Sequence, residues 1–383
     1  MSFSASIPSY NNVLNPVWIT ITGTASTDYT YTVKDSSGSE VFSGVVTGTT
    51  FSFNISEVVQ SLITDQDMTT YITQGIISRY ITDFLATFTV EITDNIDTIT
   101  LSSFAVPGGI TDRLFRAIVA SGSDAFKSIF FNTNLNFALT SRSRDTEIFI
   151  RETELNPIAF FGYFSTMTIQ DDDTVIASIT GEGSIITELI TVDLETLRKY
   201  EMTCNGKIIN RFDFYTDGYL SFSVNIIESK ETRGYSIQFL NSFNVWEKAE
   251  ICGELDYQPD RDNDGAAYKA YDSITDSLLD RRNRVKVTEI IKADMGYTDD
   301  DRKSFLEDML ISKSCYLCVD NNIYECTVYA DQISLGKSNP SPDAFPVTIK
   351  MVDNGYLSTP YIDYTKIVNH KKIFDNPFAG TFE

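Results

Sequence analysis

An alternation with a period of two recurs along this chain and limits what it can become, because successive side chains of a strand point to opposite faces of a sheet. It begins at Val17 in VLNPVWITIT and continues through TYTVKDSSGSEVFSGVV, where Asp35 to Gly38 supply turn chemistry between two alternating runs, so a hairpin is expected. TTFSFNISEVVQSLI reads as a strand that gives way to a short helix, with Ser56 as its cap and Val58, Val59, Leu62 and Ile63 on one face. TFTVEITDNIDTITLSSFAV adds two strands around Asp94 to Asp97. Residues 1–106 therefore read as a small β-sandwich domain carrying one helix.

The same grammar continues beyond Pro107, Gly108 and Gly109, which punctuate the chain. EIFIRE, TVIASIT, RFDFYT, YLSFSVNII and YSIQFL read as strands, with turns at Asp171 to Asp173 and Thr216 to Gly218, and residues 107–240 form a second β-rich domain of sandwich type. The 26 Phe and 20 Tyr, set among abundant Thr, Ile and Val, suit half-buried pleated surfaces. After residue 240 the pattern changes. AAYKAYDSITDSLLDRR has a mixed helical pattern. TDDDRKSFLEDMLISK has a clear one, with Thr298 and Asp301 as a capping box and Phe305, Leu306, Met309 and Leu310 as its apolar face. Strands follow in CYLCV, ECTVYA and PVTIKMV. The expected fold class is mainly β: two β-sandwich-like domains and an α+β region over 241–383 that ends in an extended tail. There is no internal repeat at a fixed period.

Charge narrows the function. The chain holds 30 Lys and Arg against 53 Asp and Glu, a net charge of -23, and no basic run offsets it, so specific nucleic-acid binding is not expected. No stretch approaches the roughly 18 apolar residues of a membrane span, and the first residues lack the pattern of a secretory signal, so no membrane insertion and synthesis in a cytoplasm are expected. Five cysteines, an odd number, fit free thiols better than a disulfide framework.

Several motifs suggest chemistry. Asp260, Asp262 and Asp264 with Gly265 match the opening of an EF-hand calcium loop, but the twelfth position, where a bidentate Glu belongs, is Tyr271, so the ligand set is incomplete. Cys315, Cys318 and Cys326 suggest zinc. Tyr316 and Leu317 make the intervening stretch a strand, however, and residues three apart on a strand face opposite ways. LGKS at 335–338 resembles the end of a P-loop, but Asp331 stands where the first glycine belongs, and Pro340 and Pro342 prevent the required helix. The single histidine, His370, has no G-x-S-x-G partner, and with 53 acids no carboxylate pair stands out as a glycosidase signature. No cofactor, metal or catalytic residue is expected, and the chain reads as a non-enzyme.

NPVWITITG, the segment Asn132 to Phe161, IQFLNSFNVWEKAEICGELDY and SFLEDMLISKSCYLCVDNNIYECTVYA together resemble, in this order, a group of tail-associated structural proteins of phages and prophages of Bacteroidetes-type hosts. Where such proteins often carry Gly after the FLN-type segment this chain has Asn244, which also tolerates a left-handed backbone. The resemblance implies a structural subunit of the virion, at the tail hub, the distal tail or an adaptor, whose partners are copies of itself and other tail proteins; it transfers no active-site residue. The terminal IVNHKKIFDNPFAGTFE is too apolar to float freely, and Ile367, Phe374, Phe378 and Phe382 are the expected partner-binding residues. Two other classes stay open. A receptor- or glycan-binding virion protein would show an exposed aromatic platform on loops. A carbohydrate-active enzyme would show a cleft with two carboxylates of unequal pKa.

Overall fold

The computed structural model describes residues 3–65, 76–80, 85–109, 112–122, 138–142, 147–162, 164–181, 189–229, 234–258, 260–262, 267–274, 276–282, 286–288, 290–298, 300–319, 322–330 and 343–352. The fold is mainly β. The chain divides into two compact units, one of residues 1–150, 155–227 and 241–246, the other of residues 151–154, 228–240 and 247–383.

The first unit opens with β1 (Phe3–Ser6), β2 (Tyr10–Asn12) and the expected long hairpin, β3 (Trp18–Lys34) and β4 (Glu40–Asn54). Then come helix α1 (Ser56–Gln60), β5 (Ile77–Tyr80), β6 (Ala86–Thr93) and β7 (Thr98–Val106). One six-stranded sheet runs β1-β3-β6-β7-β2, with β4 added to β3. Its pairings are antiparallel, except that β2 lies parallel to β7. Between Thr22 and Thr27 the register of β3 against β4 shifts; the residues before this bulge pair with β1 and those after it with β6. Asp35 closes the hairpin. Its Oδ1 accepts from the backbone N of Ser37 and of Ser39, both at 2.9 Å, and from the Ser37 hydroxyl, and these bonds hold its carboxyl below the usual range.

Alternation delivers the core of this sheet: Ile19, Ile21, Tyr29, Val33, Phe88, Val90 and Ile92 are fully or almost fully buried and pack with Ile55 and Val59 at the α1 turn. Ser56 does not cap α1. It is the first helical residue, and Ile55, without a capping side chain, holds the cap position. Asn54 Oδ1 does the work one residue earlier, accepting from Val17 N (2.7 Å) and Ser56 N (3.1 Å), so one side chain ties the end of β4 to the entry of β3.

The unit continues with α2 (Asp112–Ala120), β8 (Glu147–Arg151), β9 (Pro157–Phe161), β10 (Thr166–Asp171), β11 (Thr174–Thr180), β12 (Leu189–Asp193), α3 (Leu194–Asn205), β13 (Arg211–Thr216) and β14 (Tyr219–Ile227). They build a five-stranded sheet, β11-β10-β13-β14-β8, and a three-stranded one, β5-β12-β9. β5 lies before residue 106 in sequence yet pairs with β12, so the boundary read after 106 does not separate the sheets. The core is aromatic: Phe214 and Phe222 stack at 4.4 Å, and Phe160 meets Phe214 edge-on at 6.0 Å. Both expected turns form, with Asp172 and Asp217 at positive φ. Helix α3 has signals that the strand-rich reading passed over: the Asp193 carboxylate caps Thr196 N at 3.0 Å, and Gly206, at φ +66, ends it.

The FLN-type segment supplies a buried turn at 241–245. Asn241 Oδ1 accepts from Phe243 N (2.9 Å) and Val245 N (3.0 Å), and Asn244 takes φ +60, the left-handed conformation anticipated for it. Nδ2 of Asn241 donates to Leu139 O and Nδ2 of Asn244 to Thr64 O, so the turn fastens two distant stretches of the same unit. Phe243 presses on Gly108, whose φ is +92 and where a Cβ would lie 2.3 Å from the Phe243 ring.

The second unit contains β15 (Ser236–Leu240), β16 (Trp246–Glu250), β17 (Cys252–Tyr257), β18 (Asp260–Asp262), β19 (Ala267–Asp272), β20 (Ser277–Arg282), β21 (Lys286–Thr288), β22 (Ile290–Thr298), α4 (Asp300–Ile311), β23 (Cys315–Val319), β24 (Asn322–Tyr329) and β25 (Asp343–Met351). A seven-stranded sheet, β16-β15-β23-β24-β25-β22-β17, packs Ile237, Phe239, Met295, Leu317 and Ile349 against Phe305, Leu306 and Met309 of α4, the face expected from sequence. Thr298 ends β22 opposite Asp343. The stretch AAYKAYDSITDSLLDRR is a hairpin, β19 paired with β20, and not a helix. Its apolar residues make no continuous helical stripe, while Asp272 accepts from Ile274 N, Tyr271 Oη donates to Asp276, and Asp276 takes φ +47, all of which favour a turn.

Gly108→Ala should destabilise the protein by about 2 kcal/mol or more, since it adds backbone strain to overpacking. Urea unfolding checks this, with Gly206→Ala, which has open space around it but a similar φ, as the measure of the strain alone.

Candidate functional site

Among the described residues, the polar arrangement with the most buried charge lies in the second unit. It is built from Arg151 at the end of β8, the 3-10 turn Glu152–Glu154, Glu250 at the end of β16, Cys252 at the start of β17 and Arg302 in the first turn of α4. Both Glu154 and Glu250 are fully buried. Arg151 Nη1 donates to Glu250 Oε2 at 2.7 Å and lies 3.2 Å from Cys252 Sγ, and Thr153 Oγ1 donates to Glu250 Oε1 at 2.9 Å. Glu154 takes both arms of Arg302, Nη2 on Oε1 at 2.5 Å and Nη1 on Oε2 at 3.1 Å, while its Oε1 also accepts the backbone N of Glu250 at 2.9 Å.

Two guanidiniums meet two carboxylates here, so the formal charges cancel. Burial works against the charge on Arg151, but the Glu250 hydrogen bond and the Glu154 carboxylate outweigh it and raise its pKa. Burial pushes the Cys252 thiol up, and the nearby Arg151 only partly offsets this, which favours the protonated thiol over a nucleophilic thiolate. The arrangement is a closed tie that fixes a turn, two strands and a helix. Removing one member leaves a buried charge unmatched, at a cost of about 3–5 kcal/mol, whereas replacing a whole buried pair with apolar residues is often neutral.

Composition and spacing gave no sign of this cluster. Its hydrogen-bonded partners are up to 148 residues apart, and in a chain with 53 acids a buried glutamate looks like any other. The segment RETE, four polar residues interrupting apolar strands, is the one local trace.

Asp260 and Asp262 stand on β18, extended and paired with Thr288 and Lys286, which is not the backbone of an EF-hand turn; Asp264 lies outside the described residues. Cys315 and Cys326 sit directly opposite each other on β23 and β24, both buried, and Cys318 faces the other way and is half-buried. No group of three metal-ligating side chains occurs among the described residues. LGKS, His370 and the partner-binding candidates Ile367, Phe374, Phe378 and Phe382 lie outside the described residues. Among the described residues, no helix is long and apolar enough to cross a membrane.

No family model matches the chain, and no curated protein sequence matches it. Among solved structures it is similar to one described as "Biofilm associated protein - BSP domain", at 11% identity and a TM-score of 0.17, over 60% of this chain and 30% of that one. The chain thus spans less than a third of that structure, and a likeness at this score carries no argument about fold or function.

Glu154→Gln should destabilise by about 3–5 kcal/mol in chemical unfolding, and the pair Glu154→Leu with Arg302→Met should recover most of that loss. For the thiols, burial pushes Cys315 up to about 11 and Cys326 higher still, so the exposed Cys204 should react with iodoacetamide in the native protein while Cys315 and Cys326 react only after unfolding. Between the ordinary thiol pKa of 9.0 and about 11 the unfolded chain loses the Cys315 proton and the folded chain keeps it. Stability therefore falls as pH rises through that window, and Cys315→Ala should flatten the fall.

Proposed function

We propose that the protein is a non-enzymatic structural subunit of a bacteriophage virion, associated with the tail and assembled into a symmetric oligomer with copies of itself and other tail proteins. The observation that carries this reading is where the family-like segments fall. NPVWITITG enters β3, the FLN-type segment forms β15, the buried turn at 241–245, β16 and β17, and the stretch 304–330 forms α4, β23 and β24. Each segment contributes buried residues to a core, Val17, Ile19 and Ile21 in the first unit and Ile237, Phe239, Phe305, Leu306, Met309 and Leu317 in the second, which supports a scaffold role for them. The buried charges of the second unit support it too, because they close on one another and so tie structure together. On this reading the acidic surface faces solvent or a passage for DNA, where like charge keeps a duplex from sticking.

Purified particles decide the matter. Mass spectrometry should find the protein in several copies per particle, and antibody labelling should place it on the tail; absence from washed particles would sink the reading. Deleting residues 367–383 should sharply lower incorporation without unfolding the rest, as read by immunoblot of particles alongside circular dichroism of the purified variant.

A further inference from the structure

We infer that the edge of β4 that no strand covers among the described residues is a self-association surface, on which the β4 of a second copy pairs antiparallel about a two-fold axis. The inference deepens the virion reading by naming the surface through which copies would meet.

Natural sheets protect their edges by keeping edge strands short or by placing charge, proline or bulges on them. The other edges of the six-, five- and seven-stranded sheets, and β9 of the three-stranded one, are protected in these ways. β1 and β2 have four and three residues. β8 carries Glu147 and Arg151, β9 opens on Pro157, β16 carries Glu247, Lys248 and Glu250, and β17 carries Glu254 and Asp256. β11 has seven residues and meets β10 through a register shift. β4 differs. It runs for 15 residues and, among the described residues, pairs only with β3. In a chain with 22% charged residues it holds one charge, Glu40 at its first position, and no proline. At about 3.3 Å per residue it offers an uncharged strip on the order of 50 Å long.

The side chains on this strip are incompletely covered. Val45 is 64% exposed, Phe42 43% and Val41 38%, and the core-side row of Val46, Phe51 and Phe53 is only half-buried, because no further strand flanks it among the described residues. The partner this surface fits is an uncharged strand of similar length, with apolar residues on one face and small hydroxyl residues on the other. β4 itself comes close to that description: Phe42, Val46, Phe51 and Phe53 lie on one face, and Ser43, Thr47 and Ser52, with Val45 among them, on the other. A two-fold axis perpendicular to the sheet keeps each face on its own side, so the apolar rows of two copies would adjoin and cover one another. Charge selects the same strip. Two bodies of net charge -23 repel over most approaches, and a neutral edge is where they can meet at least cost.

Sedimentation of the full-length protein over two decades of concentration tests this, together with hydrogen exchange at both ends of the range. Dimers should form, and protection of the Glu40–Asn54 amides should rise with concentration. Val45→Lys, at a mostly exposed position, should weaken the dimer roughly tenfold or more, and Val45→Thr should leave it near the parent. Three outcomes overturn the inference: a monomer at every concentration, a dimer that leaves Glu40–Asn54 unprotected, or a Val45→Lys protein that dimerises like the parent. A dimer through β4 in a protein absent from particles would sink the virion reading alone. A protein found in particles with a monomeric, unprotected β4 would sink this inference alone.

Discussion

The structure depends on the need of each pleated strand to bury one face and to pair its backbone groups. In the first sheet Ile19, Ile21, Val33, Val90 and Ile92 point to one side and are fully buried, while Thr20, Thr22, Thr30 and Thr32 alternate with them on the other. The register shift between Thr22 and Thr27 separates the part of this long strand that pairs with β1 from the part that pairs with β6. The half-covered β4 is where the same requirement is left unmet among the described residues.

A second constraint is the cost of buried charge. Glu154 and Glu250 have no exposure, so each must find cations and donors inside the protein. Arg151, Arg302, Thr153 and the backbone of Glu250 supply them, and the geometry that results fixes the 3-10 turn after β8 against β16 and α4. Such a cluster adds little net stability over an apolar substitute; what it adds is one permitted arrangement of the elements it joins. The paired Cys315 and Cys326 sit in the same unit as plain apolar filling, held protonated by burial.

The turn at 241–245 shows how a small polar motif can organise a core. Asn241 satisfies two backbone donors inside the turn, its amide and that of Asn244 reach outward to Leu139 and Thr64, and Phe243 occupies the space that Gly108 leaves open. Each of these residues could be read as loop chemistry. Their joint role depends on three stretches of chain meeting at one place.

The sequence by itself determined the mainly-β class, the Asp35–Gly38 hairpin, the turns at Asp172 and Asp217 and the apolar face of α4. Each of these rests on residues a few positions apart, where backbone sterics and periodicity act. The sequence also misled locally: residues 267–282 lack a decisive period, and the Asp272–Asp276 turn decides for a hairpin. Only the tertiary structure decided that β5 joins the sheet of β12, that Asn54 ties the α1 turn to Val17, that Arg151, Glu154, Glu250 and Arg302 converge, and that β4 keeps an open edge among the described residues. These features join residues tens to more than a hundred positions apart. Their energies come from desolvation and pairing, which exist only once the chain has brought the groups together.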